Sequence, residues 1–226
     1  MKVPRKVFGV GPILLPIQPV AASDPELEEW LKAHPTILIN LGTHAVTDSE
    51  SAIEMALSIA TILMENPNLQ ILWKLKYDYT SNTKFNQILS LAIGSNRLRI
   101  TSWLVTESTS ILSSPTILAS VHHGGANSYF EACHAGVPQI LLPTWFDTYV
   151  NAAKVEYLGI GVFANKKSAP GVGRKAFTDA LRKVLKDGKM RAKAKELGIL
   201  CRKTVGRELA CDKIVEVARA GRGEKC

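Results

Sequence analysis

The amino-acid sequence predicts an open, doubly wound parallel α/β sheet, Rossmann-like in class, with extra helices at its C-terminal end. Three observations carry that prediction. Short β-branched runs alternate with longer segments that repeat apolar residues at three and four. After Gly173 only the helical repeat continues. One apolar run also passes through two adjacent glycines directly into a helical segment. Strands alternating with helices build a parallel sheet covered on both faces, because each crossover helix lies over the strands it joins.

The elements follow in order. Residues 1–22 mix basic and apolar side chains, are interrupted by prolines, and read as an interdomain linker. Strands are predicted at 36–41, 70–75, 97–101, 117–121, 139–142 and 160–163. Between the first two, Ile53, Ala56, Leu57, Ala60, Leu63 and Met64 repeat at helical spacing, with Asp48 and Ser49 ahead of them as caps. A helix opening near Asn127 or Ser128 should end at Gly136, a C-cap glycine, with Pro138 just behind. Beyond Gly173, Leu181, Val184, Leu185, Leu197 and Leu200 mark apolar positions between lysines and arginines. Residues 23–226 are thus expected to form one domain.

Bulk properties narrow the function. The 226 residues, 46% of them hydrophobic, suffice for one ordinary core. No apolar run approaches the roughly 18 residues that span a bilayer, and the N-terminus lacks a signal-peptide pattern. Cys133, Cys201, Cys211 and Cys226 form no C-x-x-C pair, which predicts reduced thiols in a cytoplasmic, cytosol-facing protein. Cys133 is expected to be a small core residue. The formal net charge is +8, and residues 151–226 hold 19 of the 28 lysines and arginines. Their helical spacing reads as solvated faces. Only Tyr157, Phe163 and Phe177 are aromatic in that stretch, and so few stacking side chains argue against a nucleic-acid partner.

In doubly wound sheets ligands sit at the carboxyl ends of the strands. The informative loop follows the fourth predicted strand, through His122, His123, Gly124 and Gly125. Glycines let the backbone approach a ligand closely, and the free N–H groups of the next helix favour a diphosphate. His123 can add a further hydrogen bond. A purely structural account also exists for each part. Ser128 and Glu131 have capping-box spacing, paired glycines make tight turns, and a loop histidine can satisfy itself locally.

The whole stretch is more specific than its parts. His-Gly-Gly-x-Asn-Ser-x-x-Glu-Ala is followed by Ala-Gly-Val-Pro, then Pro143-x-x-x-Asp147 and Asn151. This order, opened by Trp103, resembles the donor-binding signature of UDP-glycosyltransferases of family 1, with the two-domain GT-B fold. Gly9-x-Gly-Pro12 resembles their interdomain linker, and residues 37–43 resemble their first C-domain strand. The tone of the sequence resembles fungal members more than plant ones.

The resemblance implies a role for each matched position. Trp103 would stack on the uracil and the backbone near Leu104 would read the base edge. Glu131 would accept from the ribose hydroxyls. His123, Gly125, Asn127, Ser128 and Thr43 would hold the diphosphate, and Asp147 would bond the transferred sugar with Asn151 in support. There are departures. The usual tryptophan before Asn-Ser is Ala126, which would remove bulk near the sugar or phosphate; the usual proline and glutamine after Trp103 are Val105 and Thr106; and the usual glutamine after Asp147 is Thr148, which would contact the sugar with a shorter reach. The span from Trp103 to His123 is also about two residues longer than in plant members.

The implied activity is an inverting, metal-independent transfer from a UDP-sugar, by default UDP-glucose, to a hydroxylated acceptor. No Asp-x-Asp pair occurs in the chain, so no metal site or other cofactor is expected. The general base is expected in an N-terminal acceptor-binding domain, absent here, which would be the main partner. None of His34, His44, His122 and His134 matches the family's base motif; His44 more plausibly faces the donor or the domain cleft. The chain is therefore expected to bind donor but transfer little sugar alone. Two alternatives stay open: the donor-binding subunit of a split UDP-GlcNAc transferase, and a non-catalytic nucleotide-binding or interaction module.

Overall fold

A computed structural model describes residues 7–43, 47–76 and 78–221. His44, Cys226 and the start of the linker lie outside the described residues. All six predicted strands form, each with one end moved by a single residue. Helices and strands alternate through α1 (Pro25–Ala33), β1 (Thr36–Asn40), α2 (Ser49–Glu65), β2 (Gln70–Lys74), α3 (Thr83–Gly94) and β3 (Leu98–Thr101). They continue through α4 (Ser108–Leu112), β4 (Ile117–His122), α5 (Ala126–Ala135), β5 (Gln139–Leu141), α6 (Phe146–Leu158) and β6 (Gly161–Phe163). After β6 come α7 (Arg174–Lys186), α8 (Gly188–Cys201) and α9 (Gly206–Gly221).

The strands lie in the order β3-β2-β1-β4-β5-β6, every pair parallel. The chain winds outward from β1 to one edge, returns, and winds outward from β4 to the other. β1 and β4 are therefore the adjacent strands at which the winding reverses. In such sheets that reversal opens a crevice beyond the carboxyl ends, where ligands bind. The loops leaving it are the one at Gly42 and Thr43 and the one at residues 123–125.

Burial on both faces explains why the strands read as continuous apolar runs. One core packs Ile37, Ile39, Ile71, Trp73 and Val121 under α2, α3 and α7. The opposite face carries Leu38, Leu72 and Ile117 against Trp30 and Leu31 of α1 and against α4. Asp48 caps α2 by accepting from the Ser51 N–H at 2.8 Å, so Ser49 is the first helical residue and not a second cap. Gly136 ends α5 in the left-handed conformation, at φ 75°. Leu181 and Val184 are buried as the helical repeat predicts, whereas Leu200 is exposed, because α8 shows that flank to solvent. The segment at Val10 and Pro12 lies against the start of α9, where Gly206 permits close approach of both carbonyls. Among the described residues no helix is long and apolar enough to cross a membrane.

Candidate functional site

The site is built where β4 runs into α5. β4 is buried along nearly its whole length and ends at His122, which is sealed beneath the loop. The Gly124 N–H donates to His122 Nδ1 at 3.1 Å, so that nitrogen is unprotonated. His122 Nε2 then carries the proton and donates to Gln139 Oε1 at 2.9 Å. Gln139 in turn donates to Cys133 Sγ at 3.2 Å. Burial lowers the His122 pKa to about 4, which matches this neutral tautomer. The sequence reading set His122 aside; the structure makes it the floor of the loop.

His123 turns the other way, into the crevice. Its ring stands between the two strand-end loops: a Cβ on Gly42 would lie 2.8 Å from its Cε1, and one on Gly125 would lie equally close. Only glycine at both positions leaves room for the imidazole. Gly42, at φ 94°, is further held by its N–H donating to the Asn40 side chain at 3.0 Å. Burial lowers the His123 pKa and nearby Asp147 partly opposes this. The His123 Nδ1 atom is enclosed and has no partner.

Helix α5 begins at Ala126, with Gly125 as an N-cap that offers no side chain. Ser128 is thus the third helical residue and not the cap, so the Ser128–Glu131 capping box does not form. The first-turn N–H groups of a helix have no intrahelical acceptors, and here they open onto a cavity of about 340 Å³. Thr43, His123, Gly125, Ala126, Asn127 and Ser128 line it. Trp145, which the sequence reading passed over, lines it too. The signal for it was an aromatic residue in the loop leaving β5, at the same end of the sheet.

Other predicted residues are placed differently. Trp103 and Leu104 line a separate cavity of about 530 Å³ beside β3, with Arg99, Thr101 and Val105. Trp103 is 61% exposed, and the Lys74 ammonium sits 4.4 Å from its ring centroid. Thr106 does not face a ligand: it is buried, and its hydroxyl lies 2.7 Å from that of Ser23. Glu131, half-buried on the second turn of α5, lines neither cavity. Burial, with Glu107 nearby, raises its carboxyl pKa.

Asp147 is exposed on the first turn of α6. Thr148 corrects the expectation of a sugar contact. It is fully buried, and its hydroxyl is bonded to the Trp145 carbonyl, so it braces the loop from below. Asn151 is buried and donates to the Gly124 carbonyl at 2.8 Å. Among the described residues no group of three or more His, Cys, Asp or Glu side chains gathers to hold a metal ion.

Comparisons with known proteins add the family. Residues 98–200 match the domain described as erythromycin biosynthesis protein CIII-like, C-terminal domain. Glycosyltransferase sdnJ of Sordaria araneosa is 41% identical over 233 residues, a match spanning 99% of this chain and 44% of that protein. By both matches the chain resembles the C-terminal domain of family 1 glycosyltransferases. UDP-glycosyltransferase CGT of Oryza sativa subsp. japonica is 28% identical over 97% of the chain and 48% of its own length. The chain therefore spans less than half the length of these two relatives.

Solved structures of the glycosyltransferases agree on the fold. A UDP-glucose: anthocyanidin 3-O-glucosyltransferase in complex with UDP superposes with a TM-score of 0.69 at 21% identity, over 92% of this chain and 45% of the other. The Glycyrrhiza uralensis enzyme UGT73P12 superposes with a TM-score of 0.72 at 18% identity, over 86% of this chain and 43% of the other. The six-stranded sheet is thus the C-terminal half of a GT-B fold.

Proposed function

We propose that this glycosyltransferase domain binds a UDP-sugar across the ends of β1 and β4. It supplies the donor half of an inverting, metal-independent transfer to a hydroxylated acceptor. The observation that carries this reading is His123 set between Gly42 and Gly125 at the uncapped start of α5. Backbone N–H groups, the positive helix end and an imidazole N–H converge there on one small cavity, which is what a diphosphate requires. The His123 side chain lines that cavity, and its enclosed Nδ1 has no partner within the fold.

The remaining parts of the donor follow from their placement. Glu131 on α5 lies near Glu107, at the end of the loop that carries Trp103, and a nucleotide passing from α5 toward that loop would meet its carboxylate with the ribose. Trp103 offers the uracil the ring face that Lys74 does not cover. A UDP-sugar is the proposed donor, supported by relatives named as UDP-glycosyltransferases, with UDP-glucose as the default.

In the transfer, the acceptor oxygen forms a bond to the anomeric carbon as the bond from that carbon to the diphosphate oxygen breaks. The electron pair leaves with UDP, and negative charge grows on the diphosphate. Donors already fixed at α5 and His123 stabilise that charge without rearrangement. The proton of the acceptor needs a base. Among the described residues His123 is the one histidine lining the cavity, and it faces the leaving group. As the family resemblance implies, the base is assigned to an N-terminal acceptor domain, and this chain by itself should bind donor and transfer little sugar.

A thermal-shift and calorimetric series with UDP, UDP-glucose, UDP-glucuronate and UDP-GlcNAc tests the reading. Stabilisation by UDP, with differences among the sugars, is the expected result. No response to any nucleotide would overturn it in favour of an interaction module. Measurable turnover on a hydroxylated aglycone would remove the assignment of the base elsewhere.

A further inference from the structure

Trp145 lines the proposed diphosphate cavity beside His123. It is the N-cap residue of α6, and its ring centroid lies 5.5 Å from that of His123, at 56°. The backbone beneath it is pinned by one buried residue: the Thr148 N–H donates to the Trp145 carbonyl at 3.1 Å, and the Thr148 hydroxyl bonds the same oxygen. The Trp145 N–H reaches the Thr148 hydroxyl at 3.3 Å. The indole is 39% exposed, so packing in the core does not account for it. Ala126 lines the same cavity at the first position of α5 and presents only a methyl group.

The cavity therefore has a polar wall, formed by the start of α5 and His123, and an aromatic wall, formed by Trp145. A diphosphate uses the first and has no use for the second. A hexose ring does, because its C–H face packs on an aromatic plane while its hydroxyls turn to polar groups such as Asp147. We propose that Trp145 recognises the glycosyl ring of the donor and, with the small Ala126, determines which sugars fit. This rests on the donor-binding reading above. The bulk missing at Ala126 is supplied from the loop leaving β5.

The test is calorimetry on the 226-residue chain with UDP and UDP-glucose as separate probes, for the unmodified protein, Trp145→Ala and Trp145→Phe. Trp145→Ala should weaken UDP-glucose by about tenfold and leave UDP within about threefold, while Trp145→Phe keeps most of the sugar affinity. Retained UDP binding also shows that the variant is folded. Equal losses for both ligands, or unchanged UDP-glucose binding, would overturn the role of Trp145 and leave the donor site standing. If the unmodified chain binds neither ligand, both proposals fall.

Discussion

The imidazole of His123 occupies the space into which a side chain on Gly125 would project. Gly125 has an ordinary φ of −59°, so its importance is steric and not conformational. Gly125→Ala should drive His123 out of place and weaken UDP by at least about tenfold, roughly 1.4 kcal/mol. Gly188→Ala is the control, since nothing lies within 4 Å of its added methyl. That variant should stay within about 0.5 kcal/mol of the parent in stability and keep its UDP affinity. Calorimetry on the two variants decides, and equal affinities would remove the steric argument.

The buried tautomer of His122 sets a pH dependence. Its folded pKa is about 4, below its ordinary value of 6.5, so between these values the unfolded chain binds the additional proton. Stability should then fall as pH drops from about 6.5 toward 4, by up to about 3 kcal/mol. His123 and His134, whose pKa values burial also lowers, act in the same direction. Glu131, whose pKa is raised, acts in the opposite one. Urea midpoints at pH 7, 6, 5 and 4 measure the slope. His122→Gln should flatten it, whatever its own stability at pH 7, and an unaltered slope would place the proton uptake elsewhere.

Asn151 shows how a residue away from the ligand holds the loop. Its amide donates to the Gly124 carbonyl from inside the fold, at 2.8 Å. Asn151→Ala leaves that carbonyl enclosed without a partner and should cost about 1–3 kcal/mol in chemical denaturation. Asn151→Asp removes the donor while keeping the volume and should cost at least as much. A loss below about 0.5 kcal/mol for both would show that the loop holds its shape without this bond.

Much of this architecture was legible in the sequence because its signals are local. The β-branched runs at 36–41 and 70–75 become β1 and β2 because both faces of the sheet are covered. The glycine pair and His123 mark the turn into α5 for the same reason: the constraint lies within a few residues. What was not legible depends on distant partners. The path of the Trp103 loop is tied by Thr106 to Ser23, 83 residues away, and no pattern within the loop announces that bond. The neighbours Asp147 and Thr148 look equally available in sequence, but successive positions on a helix diverge by about 100°. One is turned to solvent and the other into the core, while Trp145 just ahead of them takes the cavity.

Glu131 offers the sharpest division between a ribose contact and a structural role. The capping role that its spacing suggested is absent, because α5 starts five residues earlier at Ala126, after Gly125, which has no side chain to cap it. What remains is a half-buried carboxyl group held near Glu107, an arrangement that raises its affinity for a proton and gains from hydroxyl donors. Glu131→Ala should therefore weaken UDP by about 1.5–3 kcal/mol, roughly 10- to 150-fold. Inorganic pyrophosphate, which has no ribose, should bind the variant as well as the parent. Because the removed group is a carboxylate near another, fold stability should hardly fall. Equal weakening of UDP and pyrophosphate would mean that Glu131 shapes the start of α5, and unchanged UDP affinity would mean that the ribose lies elsewhere.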